Sequence, residues 1–226
     1  MKPHHKLAET ITPNGGRLTL HEHDGHFCIR LDGHDLMHSF TAASEVLLGE
    51  IAADRFSGSA PAAVLISGLG LGFTLKAVLS KAGPKVAIEV AELMPEVVAW
   101  NREFMTSLNG GLLSEPRVQV RVENVVAVLA QAKPSHYDAI LLDIDNGPTA
   151  MVEKGNGRLY DRIGIQRLHT ALKPGGKAAV WSAREDPAFA TRLAKGGFTV
   201  QVVPAKLYAT AKRSTYTIYV ATKPSA

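Results

Sequence analysis

Val64-Leu65-Ile66-Ser67-Gly68-Leu69-Gly70-Leu71-Gly72-Phe73 runs an apolar segment straight into three alternating glycines. It reads as a buried parallel strand, a glycine-rich turn and the start of a helix. Glycine removes the Cβ that would hold a ligand away from the backbone. The spacing bears on the ligand class. G-x-G-x-x-G marks a dinucleotide site, whereas G-x-G-x-G more often holds the adenosyl and methionyl parts of S-adenosylmethionine. Gly68, Gly70 and Gly72 follow the second pattern, and Leu75 stands where the first would need Gly or Ala. A glycine turn alone is weak evidence, so its meaning depends on the ends of the strands that follow.

Strand and helix patterns alternate from Ala63 onward. Predicted strands cover Ala63–Ser67, Lys85–Ala91, Arg117–Val122, Tyr137–Asp143, Lys177–Ser182, Phe198–Pro204 and Ser214–Thr222. Predicted helices cover Thr74–Lys81, a segment opened by Pro95, Val125–Ala132, Tyr160–Leu172 and Pro187–Gly196. Pro95 suits a first helical turn, and Lys173-Pro174-Gly175-Gly176 is a helix stop. The pattern predicts an α/β fold with a doubly wound, mostly parallel seven-stranded sheet and an antiparallel edge.

The first sixty residues differ. Arg17–Glu22 and Phe27–Leu31 alternate around Asp24-Gly25, a hairpin signal, and Asp32-Gly33 turns into His34–Met37. A helix is expected over Ser39–Ala53, and Arg55–Pro61 reads as a linker. The expected division is 1–60, an N-terminal β-hairpin cap plus helix, and 61–226, a cofactor-binding α/β catalytic domain.

The 226 residues suffice for such a domain with a substantial core, and 46% hydrophobic with 20% charged residues describes a globular chain. The single cysteine, Cys28, excludes a disulfide framework and fits a reducing, cytoplasmic setting. No apolar run approaches the roughly 18 residues of a membrane span, and no secretory leader is evident. The net charge of +4 is scattered, which argues against a nucleic-acid partner.

In an open parallel sheet, ligands bind beyond the carboxyl ends of the strands. Glu92 stands 20 residues after Gly72, where a carboxylate can accept both ribose hydroxyls. Its plain alternative is an exposed strand-end acid. Glu123 and Asn124 follow the third strand; Asn124 can read an adenine edge, cap a helix, or do both. Asp143 and Asp145 leave the fourth strand, where an acid can attract an amine and take its proton. Asp143 closes the apolar strand and is the stronger candidate. Asp145 can face the same pocket or water.

These segments together resemble the spermidine synthase family. The resemblance rests on Val64–Phe73, Glu92-Leu93-Met94-Pro95-Glu96-Val97-Val98, Tyr137–Pro148, Leu159-Tyr160 and Leu172–Gly176, and spans roughly residues 15 to 183. It implies a class I methyltransferase-like Rossmann fold with a small N-terminal β extension. It also implies an S-adenosyl cofactor, either S-adenosylmethionine or its decarboxylated form. Gly68, Leu69, Gly70, Gly72, Glu92, Leu93, Glu123, Asn124 and Asp143 would line its site, with Asp143 as the catalytic acid that deprotonates an attacking amine. The implied activity is aminopropyl transfer to a small-molecule amine acceptor. The family's glycine turn reads G-G-G-D-G-G, its aspartate holding the donor amine; here Leu71 takes that place. A family Tyr-His-Glu element is reduced to Ala43-Ser44-Glu45. Both departures open a methyl or aminocarboxypropyl transferase, or a non-catalytic cofactor-binding module, as alternatives. The family often forms homodimers, although no interface stripe stands out in this chain.

Glu45, Tyr160 and Trp181 are candidate substrate residues. Tyr160 reads equally as core, and Trp181, near the end of the fifth strand, is placed to line an acceptor pocket but is favoured as packing. Trp100 reads as packing, and Asn101-Arg102 as either a carboxylate contact or a surface pair. His21, His23 and His26 flank the hairpin turn, where a solvated hairpin is favoured over a metal site. His4 and His5 read as a mobile terminus.

Overall fold

The computed structural model describes residues 5–144 and 154–225. The chain opens with four strands, β1 (His5–Ile11), β2 (Arg17–His23), β3 (His26–Leu31) and β4 (His34–His38). They form an antiparallel sheet in sequential order. The hairpin turns stand where the sequence places them, with Asp24 and Asp32 in left-handed conformation before Gly25 and Gly33. His5 is not a loose terminus, because it opens β1 and pairs with Glu22 of β2. The segment is polar because it forms an edge strand, which hides its periodicity.

Helix α1 (Ala43–Ala53) follows a single 3-10 turn over Ser39–Thr41, whose first N–H groups are met in part by His38: Phe40 N donates to its Nδ1 at 3.0 Å. The remaining elements alternate as β5 (Ala62–Ser67), α2 (Phe73–Lys81), β6 (Val86–Glu92), α3 (Pro95–Glu103), α4 (Thr106–Asn109), β7 (Val118–Val122), α5 (Val125–Gln131), β8 (Tyr137–Leu142), α6 (Arg162–Ala171), β9 (Leu172–Ser182), α7 (Pro187–Lys195), β10 (Thr199–Ala205) and β11 (Tyr216–Thr222). Side chains start the later helices. Asn124 accepts from Val126 N, Asp161 from Gly164 N and Asp186 from Phe189 N. Helix α6 stops at Ala171, but Lys173-Pro174-Gly175-Gly176 lies inside β9 and not in a loop.

The second sheet has seven strands in the order β10-β11-β9-β8-β5-β6-β7. Strands β9, β8, β5, β6 and β7 pair in parallel, and β11 inserts antiparallel between β9 and β10. Pro204 sits in the edge strand β10, where a missing N–H is tolerated. From β5 the chain proceeds outward through β6 and β7, then returns to β8 on the other side. The crevice above β5 and β8 is therefore the topological switch point.

Strand alternation divides the core. Val64, Ile66, Ala139 and Leu141 face one cluster, whereas Leu65, Ile140 and Leu142 face the other. The first cluster also holds Leu18, Leu20, Phe27 and Ile29, so the N-terminal sheet shares a core with Met94 and Trp100 of the α/β layer. Helix α1 packs against α2, β8 and β9. Gly49 permits this contact, since a Cβ there would lie 2.6 Å from the Thr74 carbonyl oxygen. Among the described residues no helix is long and apolar enough to cross a membrane.

Candidate active site

A cavity of about 390 Å³ opens above β5, roofed by the N-terminal sheet. Its floor is the glycine turn. Gly68, Gly70 and Gly72 all have φ between +50° and +88°, the left-handed region that side chains disfavour. A Cβ on Gly68 would overlap the Asp143 carbonyl, and one on Gly70 would come to 2.8 Å from Met37 Sδ. Gly68 is therefore required by its approach to a strand end, whereas Gly70 faces the flexible Met37 side chain of the roof.

The turn is held by two acid and amide anchors. Glu92 Oε2 accepts from Leu69 N and Oε1 from Met94 N, each at 2.8 Å. Burial raises the Glu92 pKa, and four backbone N–H groups, led by Met94 and Leu69, pull it back. Asn101, only 2% exposed, donates to the Gly70 and Val97 carbonyls and accepts from Asn109 Nδ2 at 2.8 Å. Neither the carboxylate-contact nor the surface-pair reading of Asn101 holds: it is a buried brace under the turn. Its contacts join residues 31 positions apart, so no local pattern announces them.

At one end of the cavity, Glu123 accepts from Arg121 Nη2 at 2.5 Å and from Gln131 Nε2 at 3.2 Å. Asn124 caps α5, as one of its sequence readings has it, and also lines this end of the cavity. Leu69 and Leu93 complete the cavity wall there. Leu71, 4% exposed, lines the cavity as an apolar side chain.

At the other end stand two carboxylates, Asp143 and Glu45, each with a hydroxyl donor. Thr74 Oγ1 donates to Asp143 Oδ2 at 2.5 Å. Ser44 Oγ donates to Glu45 Oε2, also at 2.5 Å. Burial pushes the Asp143 carboxyl up to about 7, the Glu45 charge adds to the rise, and the Thr74 hydroxyl opposes it. Burial raises Glu45 as well, against the Ser44 hydrogen bond. The Asp143 N–H donates to the Ser67 carbonyl at 2.9 Å, which fixes the acid at the strand end. Tyr216 and Trp181 form the adjoining wall, with ring centroids 4.8 Å apart.

Asp35, Glu45, Glu92, Glu123 and Asp143 line the cavity, and no Lys, Arg or His does so among the described residues. The chain's basic surplus lies elsewhere. An acid-lined, low-dielectric cleft favours cations. The glycine cradle, the Glu92 anchor and the acid pair fit an adenosyl group with a cationic sulfur.

Glu45 and Trp181 thus join the cavity, but Tyr160 does not. Tyr160 is buried in the opposite core, edge-on to Phe189 at 5.6 Å between centroids. Of its two sequence readings the core one matches the structure, with Phe189 of α7 packed on it. Asp145 lies outside the described residues. No cluster of described residues has the makings of a metal site, and His21 is engaged with Thr19 at 3.0 Å. The sequence reading missed Thr74, whose helix-start position gave no sign of its contact with a residue 69 positions away.

No protein-family model matches the chain. A polyamine aminopropyltransferase of Pseudomonas aeruginosa is 37% identical over 124 residues, covering 53% of this chain and 33% of that protein. A putrescine N-methyltransferase of Nicotiana tabacum is 33% identical over 119 residues, covering 51% of this chain and 29% of that protein. The match thus spans about a third of the length of these curated relatives. A spermidine synthase solved with the transition state analogue AdoDATO superposes with a TM-score of 0.76 at 21% identity, over 98% of this chain and 74% of that one. Over about half its length the chain is thus similar in sequence to polyamine aminopropyltransferases, and its fold is like that of a spermidine synthase.

Proposed function

We propose that the chain transfers an alkyl group from an S-adenosyl sulfonium donor to a small-molecule amine. The observation that carries this reading is the pair Asp143 and Glu45, facing one end of a glycine-floored, acid-lined cavity. Gly68, Leu69, Gly70 and Gly72 would cradle the donor, Glu92 would accept from its ribose, and Asn124 would meet its base beside Leu93 and Glu123. The donor supplies a carbon activated by sulfonium, so the amine nitrogen forms a C–N bond as the C–S bond breaks. Asp143 takes the proton that the nitrogen sheds. A carboxyl held near 7 is matched to that task at neutral pH, and positioning against the carbon supplies the rest.

Leu71 bears on the donor's form. An apolar side chain offers no grip to a donor amine and no repulsion to a donor carboxylate. This favours ordinary S-adenosylmethionine and methyl transfer. The lack of a basic lining residue among those described favours the second reading, a decarboxylated donor and aminopropyl transfer. Turnover with each donor over an amine panel tests both. S-adenosylhomocysteine release from S-adenosylmethionine supports the first reading, and methylthioadenosine release from the decarboxylated donor alone supports the second. Absence of both products with every amine overturns the proposal.

A further inference from the structure

The acids that line the cavity are not equally available to the amine acceptor. Glu92 is tied to the glycine turn, Glu123 to Arg121, and Asp35 to Arg30 at 2.7 Å. Asp143 and Glu45 line one wall of the cavity with no Lys or Arg partner among the described residues. Thr74 Oγ1 reaches both the Asp143 carboxylate and the Glu45 main-chain oxygen, at 3.3 Å for the latter, which places them together. Together they offer one concentrated negative site.

The wall next to them is aromatic. The Glu45 charge also reaches Tyr216, raising its phenol after burial itself, and Tyr216 packs on Trp181 at 4.8 Å with a 50° tilt. Trp181 lines the cavity, yet its indole nitrogen is buried and makes no hydrogen bond among the described residues. The ring edge that can donate is therefore turned into the protein. What Trp181 offers a ligand is ring carbon, a surface suited to apolar or cationic contact and not to hydrogen bonding. Ile144 and Ala183 extend this lining.

We propose, building on amine alkylation as the activity, that the preferred acceptor is a monoamine with an aromatic or bulky apolar substituent. Its nitrogen lies at the Asp143 and Glu45 pair and its substituent lies against Trp181 and Tyr216. A linear α,ω-diamine places a second ammonium where the described lining, Trp181, Ile144 and Ala183, offers apolar surface. The nitrogen at the acid pair is the nucleophile, and its proton passes to Asp143 as described above.

The test uses the full chain with both donors, comparing 2-phenylethylamine, a linear alkylamine and putrescine at pH 7.5. The inference predicts kcat/KM for 2-phenylethylamine at least tenfold above putrescine. Trp181→Ala should remove that advantage through KM while changing donor affinity less than threefold. Putrescine preferred tenfold or more, or a Trp181→Ala variant that folds and retains the aryl preference, overturns the inference and leaves amine alkylation standing. Failure of every amine with both donors overturns the underlying reading instead. Trp181→Phe, which keeps an aromatic face, should retain most of the preference, so its loss there also counts against the inference.

Discussion

Thr74 Oγ1 donates to Asp143 Oδ2 across 2.5 Å, linking the first turn of α2 to the end of β8. The bond leaves the other Asp143 oxygen to accept a proton and holds the carboxylate against the glycine turn. Thr74→Val removes a donor that favours the charged form, so the Asp143 pKa should rise further. The acidic limb of kcat/KM against pH should move upward by about one unit, with donor affinity nearly unchanged. Thr74→Ser should restore the wild-type profile. A profile identical in all three proteins contradicts this role.

Asp143→Asn keeps the shape and removes the base. On the proposed mechanism kcat falls by roughly 10²–10⁴ at pH 7.5, the usual worth of a positioned general base. Binding of S-adenosylhomocysteine, which carries no sulfonium charge, should change by less than about threefold. A variant that turns over normally rules out Asp143 as the proton acceptor.

The acid pair also makes an unliganded chain sensitive to pH. The folded Asp143 pKa, about 7, lies above the ordinary aspartate value of 3.8, and Glu45 is raised too. The folded state therefore binds more protons than the unfolded one between those limits. Its contribution to stability is fully present below about pH 4 and is lost as pH rises through about 7. Thermal unfolding from pH 5 to 8 should show this decline, and Asp143→Asn should flatten it. An equal slope in wild type and variant contradicts the assignment.

Gly68 takes φ +88° with the Asp143 carbonyl where a Cβ would go. Gly68→Ala should destabilise by at least about 1–3 kcal/mol from backbone strain, with the steric overlap adding to it. Donor binding should weaken by more than tenfold. A variant with wild-type melting temperature and donor affinity shows that the turn relaxes without cost.

Much of the α/β layer is legible in the sequence because each strand is bounded by turn chemistry and each core strand is apolar on both faces. Gly68, Glu92, Asn124 and Asp143 are legible because their spacing reflects a chain returning to one edge of one sheet. Strand β1 is not, since His5–Ile11 is a polar edge with only one partner strand. Asn101 and Thr74 are not, since their partners are distant in sequence and their identities fit ordinary helical positions. Tyr160 misleads because a helix-start aromatic looks the same whether it faces a cleft or a core; only the docking of α7 decides.

The central claim is that a cationic sulfur sits opposite Asp143 and Glu45. Calorimetric affinities of S-adenosylmethionine and S-adenosylhomocysteine, measured from pH 6 to 8, test it most directly. The two ligands differ by one methyl group and its charge, so their ratio isolates the sulfonium. As the acid pair ionises, the ratio should rise in favour of S-adenosylmethionine by about tenfold, and Asp143→Asn should blunt the rise. A ratio that stays constant across this range, in wild type and variant alike, would contradict the account.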